Sequence, residues 1–317
     1  MSANLTRRTW LTATAAAVGG LTTQFTSSSA ADKKDAKSTD PFRYGLNTAT
    51  LIGQKLSIVE EIEIAGRAGY RALEPWVREL DKYVKDGGNL KDLGKRVADR
   101  GLSVESSIDF FEWIVDDETK RRKALENARR GMDMVKQIGG SRIAAPPSGA
   151  TNRTNMPLLT VAERYRALLD IGSQIGVVPQ VEVWGFSKTL SRLGDAACVA
   201  IESGHKDACI LADVYHLYKG GSGFNGVSVL NGSAMHVLHM NDYPSDPPRA
   251  AITDAQRVYP GDGVAPLKTF LRDLRNIGFR GVLSLELFNK EYWERDALAV
   301  VRTGLEKMKA VVASSLE

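Results

Sequence analysis

Cysteine is nearly absent from the 317 residues: there are two, Cys198 and Cys209, and neither belongs to a C-x-x-C pair. A disulfide framework or a thiolate metal site needs more cysteines at closer spacing, so both are read as small buried apolar residues. Histidine is scarce as well, with four in the chain. A surplus of one charge is also missing. Setting Arg7 and Arg8 aside as part of an N-terminal leader, the 42 basic side chains fall to 40, against 38 acidic ones. That balance excludes an electrostatic nucleic-acid binder, which needs a basic face to collect phosphates. No apolar run is long enough to span a bilayer. The most apolar N-terminal stretch, Trp10 to Leu21 (WLTATAAAVGGL), is diluted by Thr and Gly and falls short of the ~20 residues a membrane helix needs. The G-x-S-x-G, Walker and H-E-x-x-H patterns do not occur, so the chemistries they mark have no foothold.

What is present begins with a targeting pattern. Arg7 and Arg8 precede the apolar stretch, and Ser27-Ser28-Ser29-Ala30-Ala31 follows with small residues suited to a signal peptidase. Thr6-Arg7-Arg8-Thr9-Trp10-Leu11 resembles a bacterial twin-arginine signal. Residues 1–31 are therefore read as a signal peptide, 32–41 as a polar linker and 42–317 as one folded domain. The resemblance implies export to the periplasm in a folded state, with no stable membrane insertion after the signal is removed.

From residue 42 onward, short β-rich runs alternate with helical periodicity. The runs are 43–48, 71–77, 102–108, 142–147, 177–184, 209–215, 235–241 and 281–288. Between them lie stripes such as Leu90, Leu93 and Val97, or Leu298, Val301, Leu305, Met308 and Val311, at steps of three and four. Gly69, Gly101, Gly139-Gly140, Gly176 and Gly278 stand where helices should stop. An open doubly wound sheet shows the same alternation. Eight repeats without a break in composition favour a single closed (β/α)8 barrel, an α/β fold. The segment 243–265, rich in proline and without an apolar stripe, is expected as a long loop at the C-terminal face, where barrel active sites lie.

Four metal-competent residues fall near the ends of four successive runs: Glu182, Asp213, His239 and Glu286. Each is a lone ionisable group between apolar neighbours. Buried carboxylates without partners are costly, so three together call for a shared cation. The separations place them about one β/α unit apart, with the long loop added before the last. Three carboxylates and one imidazole suit a single divalent metal ion; Mn²⁺ is favoured over Mg²⁺, Co²⁺ or Zn²⁺.

Asp213-Val214-Tyr215-His216, His239-Met240-Asn241-Asp242 and Ser284-Leu285-Glu286 look like the D-x-x-H, H-x-x-D and last-strand Glu motifs of the xylose isomerase-like sugar phosphate isomerase/epimerase superfamily. Val181-Glu182-Val183, Leu73-Glu74 and Arg257 with Pro260-Gly261-Asp262-Gly263 match further motifs of that group. The resemblance covers about residues 43–312. It implies a metal site of Glu182, Asp213, His239 and Glu286, with His216, Arg257 and Glu74 toward substrate. Where ketose epimerases carry a second Glu six positions after the strand-five ligand, this chain has Lys188, a cation that would draw an anionic substrate group. Arg257, on the long loop, is expected to serve the substrate and make few core contacts.

Such a site permits proton transfer next to a carbonyl through an enediolate, with Glu182 and Glu286 as acid and base. The implied partner is a small sugar or polyol, not nucleic acid; a homo-oligomer is compatible with the sequence. An inosose-type dehydratase, a 3-keto-glycoside lyase and a non-catalytic periplasmic sugar-binding barrel are the alternatives. A repair nuclease resembling endonuclease IV needs more histidines than the chain holds. Gly221-Ser222-Gly223-Phe224-Asn225-Gly226 spells G-x-G-x-x-G but lies late in the chain with no amphipathic helix opening after it, and is read as a loop. His205 is expected to be exposed, and His236 to face away from His239. Trp76, Trp113, Trp184 and Phe288 fall near strand ends, as core residues or as aromatic walls for a sugar face.

Overall fold

The computed structural model describes residues 42–317; the expected signal peptide and linker lie outside the described residues. Eight parallel strands follow one another: β1 (Arg43–Asn47), β2 (Ala72–Glu74), β3 (Ser103–Val104), β4 (Arg142–Ala145), β5 (Val178–Glu182), β6 (Ile210–Asp213), β7 (Met235–Met240) and β8 (Val282–Leu285). The helices between and after them are α1 (Ile58–Ala68), α2 (Val77–Lys85), α3 (Leu90–Asp99), α4 (Glu118–Gln137), α5 (Leu158–Ile175), α6 (Leu193–Glu202), α7 (Val214–Gly220), α8 (Leu267–Asn276), α9 (Lys290–Trp293) and α10 (Ala297–Leu316). Among the described residues no helix is long and apolar enough to cross a membrane.

Hydrogen bonds order the strands β3-β2-β1-β8-β7-β6-β5-β4. The remaining seam, between β3 and β4, is bridged by Ser107. Its N–H donates to the Arg142 carbonyl (3.2 Å), and its own carbonyl accepts from the Ala144 N–H (2.8 Å). The ring is thereby closed, and the expected (β/α)8 barrel is the fold. Local chemistry sets the element ends. Ser57 and Glu60 form a capping box at the start of α1, and Gly69 ends that helix at φ 98°, a left-handed conformation that disfavours any side chain. Gly101, Gly139, Gly176 and Gly278 take the same sign of φ at the other expected stops.

The strands are shorter than the runs that announced them. The run 209–215 leaves the sheet at Asp213, whose carboxylate accepts the His216 N–H (2.7 Å) and so caps α7. Side chains alternate along each strand between the barrel interior and the helices. Ala72, Ala144, Leu211, Val237 and Val282 form a small inner cluster, while their neighbours Leu73, Ile143, Ala212, Leu238 and Leu283 join the larger core under the helices. Two residues further along, the inward parity reaches Glu74, Asp213, His239 and Ser284. Apolar packing thus fills the barrel floor, and polar groups crowd its C-terminal end.

The segment 243–265 is far more fixed than its composition foretold. The Asp242 carboxylate accepts backbone N–H groups from Tyr243 (2.8 Å), Gly261 (3.0 Å), Gly263 (3.1 Å) and Ala265 (2.9 Å). Gly263 is required for this: a Cβ there would lie 2.3 Å from both Asp242 Oδ1 and the Tyr243 carbonyl. Tyr243, Ile252, Arg257 and Tyr259 are buried beneath the loop.

Candidate metal centre

Strand parity brings Glu182, Asp213, His239 and Glu286 together at the C-terminal end of the barrel, none more than 5% exposed. Asp213 and His239 are direct neighbours in the ladder; His239 pairs with Ser284, so Glu286 stands one inward step higher. His239 Nδ1 lies 3.3 Å from Glu286 Oε2 and 3.8 Å from both Asp213 Oδ2 and Glu182 Oε1. Asp213, His239 and Glu286 each offer a ligand atom within 4.8 Å of the others. Glu182 stands at the edge of this triad, and its Oε2 is buried without a hydrogen bond.

The other nitrogen of His239 faces a second carboxylate. Nε2 lies 3.1 Å from Glu74 Oε2, which also accepts from Ser284 Oγ (2.7 Å) and Asn47 Nδ2 (3.0 Å). This is the carboxylate–histidine arrangement that fixes a ligand's tautomer and leaves Nδ1 free to bind a cation. Burial disfavours charge on His239, but Glu286 and Glu74 outweigh it and hold its pKa well above the ordinary range. A divalent ion fits this donor set: three carboxylates and an imidazole, with orphaned acceptor atoms, converge where positive charge is favoured. Burial pushes Glu182 up to about 8, whereas His239 and Arg257 overcome burial at Glu286 and hold it below the usual carboxylate range.

Arg257 does not behave as the sequence led us to expect. Nη1 donates to Asp213 Oδ2 and Glu286 Oε2 (both 2.8 Å), Nη2 donates to Asp254 Oδ1, and the side chain is 1% exposed. The loop that carries it is folded inward by Asp242, so a loop residue becomes part of the core. His216 lies 3.2 Å from Arg257 Nη2 and lines the same cavity; burial lowers its pKa to about 4 and keeps the ring neutral.

Two residues expected to face substrate lie outside the cavity lining. Glu74 sits behind His239, outside the cavity lining; it is level with Asn47 on β1, and Asn47, Ser284 and His239 converge on its carboxylate. Lys188 is exposed, between buried Ser187 and Thr189 in a loop closed by the Trp184 N–H to the Leu190 carbonyl (3.0 Å), and it is not part of the cavity lining. Sequence reasoning missed Asn47, whose amide also donates to Glu286 Oε1 (3.0 Å), and Asn241, which donates to Asp213 Oδ2 (3.0 Å). A polar residue at an inward parity of a β-rich run was the available signal for Asn47.

The cavity above the carboxylates measures about 220 Å³; its polar lining is Glu182, His216, Asp254, Arg257 and Glu286, and the rest is apolar, mostly aromatic. Trp76, Trp184 and Phe288 belong to it, while Trp113 is a core residue whose Nε1 donates to the Pro146 carbonyl (2.8 Å). A larger hollow of about 730 Å³ between Tyr259 and Tyr292 holds none of the four metal-competent side chains. His236 lies at the opposite rim, beside Arg142 and Glu105. His205 is half-buried rather than exposed, because it packs against Ser173 (3.3 Å). Both cysteines are free thiols.

With this geometry in place, comparison with known proteins is decisive about family. Residues 62–311 match the family model described as xylose isomerase-like TIM barrel. The chain belongs to this family. Among its xylose isomerase-like relatives, an inosose isomerase of Bacillus velezensis is 26% identical over 275 residues, covering 84% of this chain and 96% of the relative. A fructoselysine 3-epimerase of Escherichia coli O157:H7 is 23% identical over 276 residues, covering 82% and 95%. A crystal structure of the IOLI protein with a bound zinc atom superposes with a TM-score of 0.79 at 22% identity, covering 86% of this chain and 99% of that one.

Proposed function

We propose that this xylose isomerase-like barrel is a metal-dependent isomerase or epimerase of a sugar or keto-sugar, working by proton transfer with Glu182 and Glu286 as acid and base. The observation that carries the reading is that these two carboxyls face one cavity from β5 and from the end of β8, flanking Asp213 and His239. Their opposite pKa shifts fit one protonated and one ionised partner. A divalent ion held by Asp213, His239 and Glu286, with Glu182 beside them, would act as a Lewis acid on the substrate carbonyl; the oxygen-rich set favours Mn²⁺. Glu286, ionised, takes the proton beside the carbonyl, and Glu182 returns one to the neighbouring atom or opposite face. Neutral His216 offers a hydrogen bond to a hydroxyl. Arg257 fixes Glu286 and Asp213 in orientation. The aromatic lining keeps bulk water from the reacting carbon.

Turnover of a keto-sugar in D₂O tests this. Deuterium should appear at the carbon next to the carbonyl and be lost on Glu182→Gln or Glu286→Gln. Unlabelled product made equally well by both variants overturns it. A lyase reading, as an inosose-type dehydratase or 3-keto-glycoside lyase, draws on the protonated state of Glu182, which suits a departing oxygen; release of water or an alcohol in the same assay identifies it. Export by residues 1–31 is part of the proposal, and periplasmic recovery that fails on Arg7→Lys with Arg8→Lys checks it.

A further inference from the structure

The N-terminal rim of the barrel carries a second cluster of ionisable side chains, which the proposed reaction does not use. A hollow of about 310 Å³ opens there. Arg43 begins β1, Arg142 begins β4, His236 is the second residue of β7, Arg280 precedes β8 and Glu105 follows β3. These positions are far apart in sequence, so the hollow is a product of barrel closure and not of one segment. Glu105 and Arg142 stand on opposite sides of the seam between β3 and β4.

The charges in this lining do not cancel. Burial opposes a charge on Glu105, but hydrogen bonds from Arg43 Nη1 (2.6 Å) and Ser103 Oγ (2.7 Å) outweigh it and hold the carboxyl below its usual range, ionised. Burial and the Arg142 guanidinium bring His236 down to about 4, so its ring is neutral. Three guanidiniums then face one carboxylate, a surplus of two positive charges. The guanidiniums are also under-used. Arg43 commits Nη1 to Glu105, Arg142 commits Nη1 to Ser141 Oγ (3.2 Å), and Arg280 commits Nη1 to the carbonyls of Phe279 (2.8 Å) and Arg275 (3.2 Å). Each fork keeps further donors, whereas Arg257 at the opposite rim engages both terminal nitrogens. Arg142 Nε is shielded from water and has no acceptor among the described residues. A charged donor so placed has lost its hydration with no bond in its stead, a cost that a bound anion removes.

The arrangement also selects the shape of the anion. A carboxylate offers two coplanar oxygens, which suit a single guanidinium fork. A tetrahedral oxyanion presents oxygens in several directions and accepts from forks that approach from β1, β4 and β8 together. A doubly charged one matches the surplus of charge. The volume of about 310 Å³ equals the share of roughly ten waters at ~30 Å³ each. That is more than a bare phosphate fills, and it leaves room for a small ester group beside the tetrahedron.

We propose that the N-terminal rim binds a doubly charged tetrahedral oxyanion, inorganic phosphate or a phosphate monoester, held by Arg43, Arg142 and Arg280. The site stands apart from the proposed reaction, and its test needs no turnover. Calorimetry on the Mn²⁺-loaded protein, at an ionic strength fixed with sodium chloride, takes sulfate, phosphate and glycerol 3-phosphate as probes. Sulfate and phosphate should each saturate one site per chain. Arg142→Gln should weaken sulfate binding about tenfold or more, the effect of losing a charge-assisted hydrogen bond. Arg280→Gln, at an exposed position where the fold is not at stake, should weaken it several-fold. Both variants should keep their full metal content. With Mg²⁺ in place of Mn²⁺, the NMR signals of the His236 ring should move as sulfate saturates the site, and those of His239 should stay. Asp213→Ala, which removes a metal ligand, should leave sulfate binding unchanged. Glycerol 3-phosphate binding tighter than phosphate identifies a monoester as the occupant, and the reverse order identifies the free ion. The proposal is overturned by the absence of saturable binding, by binding that survives both Arg variants, or by binding lost with Asp213→Ala and kept with Arg142→Gln.

Discussion

His236 and His239 lie three residues apart on β7, roughly 10 Å along one strand, at opposite rims of the barrel. Burial acts on both in the same direction, against charge. His236 ends near 4, because Arg142 adds to burial and Glu105 only partly opposes them. His239 ends well above the ordinary histidine range, because Glu286 and Glu74 reverse the effect. The difference shows that neither the strand nor the depth of burial makes the site. What sets the C-terminal rim apart is carboxylates that converge without being separately neutralised, whereas the N-terminal rim intersperses Arg43, Arg142 and Arg280 with Glu105. One rim is arranged to attract a cation, and the other, with three guanidiniums to one carboxylate, to disfavour one.

The strongest way to break this contrast is to remove the guanidinium that the C-terminal rim already holds. Arg257→Ala should cost about 3–5 kcal/mol of stability, as expected when a buried ion pair loses one partner. Denaturant unfolding should show a larger loss in chelator-treated protein than with Mn²⁺ present, since the ion takes over part of the charge. An unchanged midpoint would show that Arg257 serves substrate alone. Next, Asp213→Ala or His239→Ala should lower metal affinity by more than about 100-fold, exceeding the loss expected for an outer-shell residue. Elemental analysis after dialysis reads this, and full occupancy in both variants would remove the metal site. Glu74→Gln touches the same imidazole from behind, and should weaken metal binding about 10- to 100-fold with the fold intact. The smallest effect belongs to the other rim. A folded pKa depressed to about 4 at His236 means stability present above the unfolded value of about 6.5 and lost as pH falls toward 4. With solvent screening this amounts to on the order of 1 kcal/mol. His236→Gln should flatten the unfolding midpoint between pH 6.5 and 4 and leave metal content unchanged.

The features legible in the sequence share one property: they depend on strand parity. Glu182, Asp213, His239 and Glu286 were found because each is a lone charge in a β-rich run, spaced by about one β/α unit. The glycine stops were legible for a similar reason, since a left-handed residue ends a helix whatever packs against it. What escaped depends on contacts between distant segments. Arg257 is buried because Asp242 gathers amides from residues 19 to 23 positions away, and composition carries no trace of that. Glu74 is turned to His239 because Asn47, Ser284 and His239, from three other strands, converge on its carboxylate. Lys188 was judged by its offset from Glu182, but offset has no meaning once the chain leaves the strand and enters a turn. Asp213 hid its second role, because a residue that ends a strand and caps a helix reads as neither.

The seam closed by Ser107 gives the barrel a clasp. Only there is the ring of ladders completed outside the regular strands, by two backbone hydrogen bonds. Local opening should start at this point, so the amides of Ser107 and Ala144 should exchange with solvent sooner than those buried in β7 and β8. Three residues beyond Ser107 stands Phe110, whose ring meets Trp184 from the other side of the seam. A ligand resting on both rings would act as a pin through the clasp, and the breathing of the whole barrel would then report, amide by amide, whether its mouth is filled.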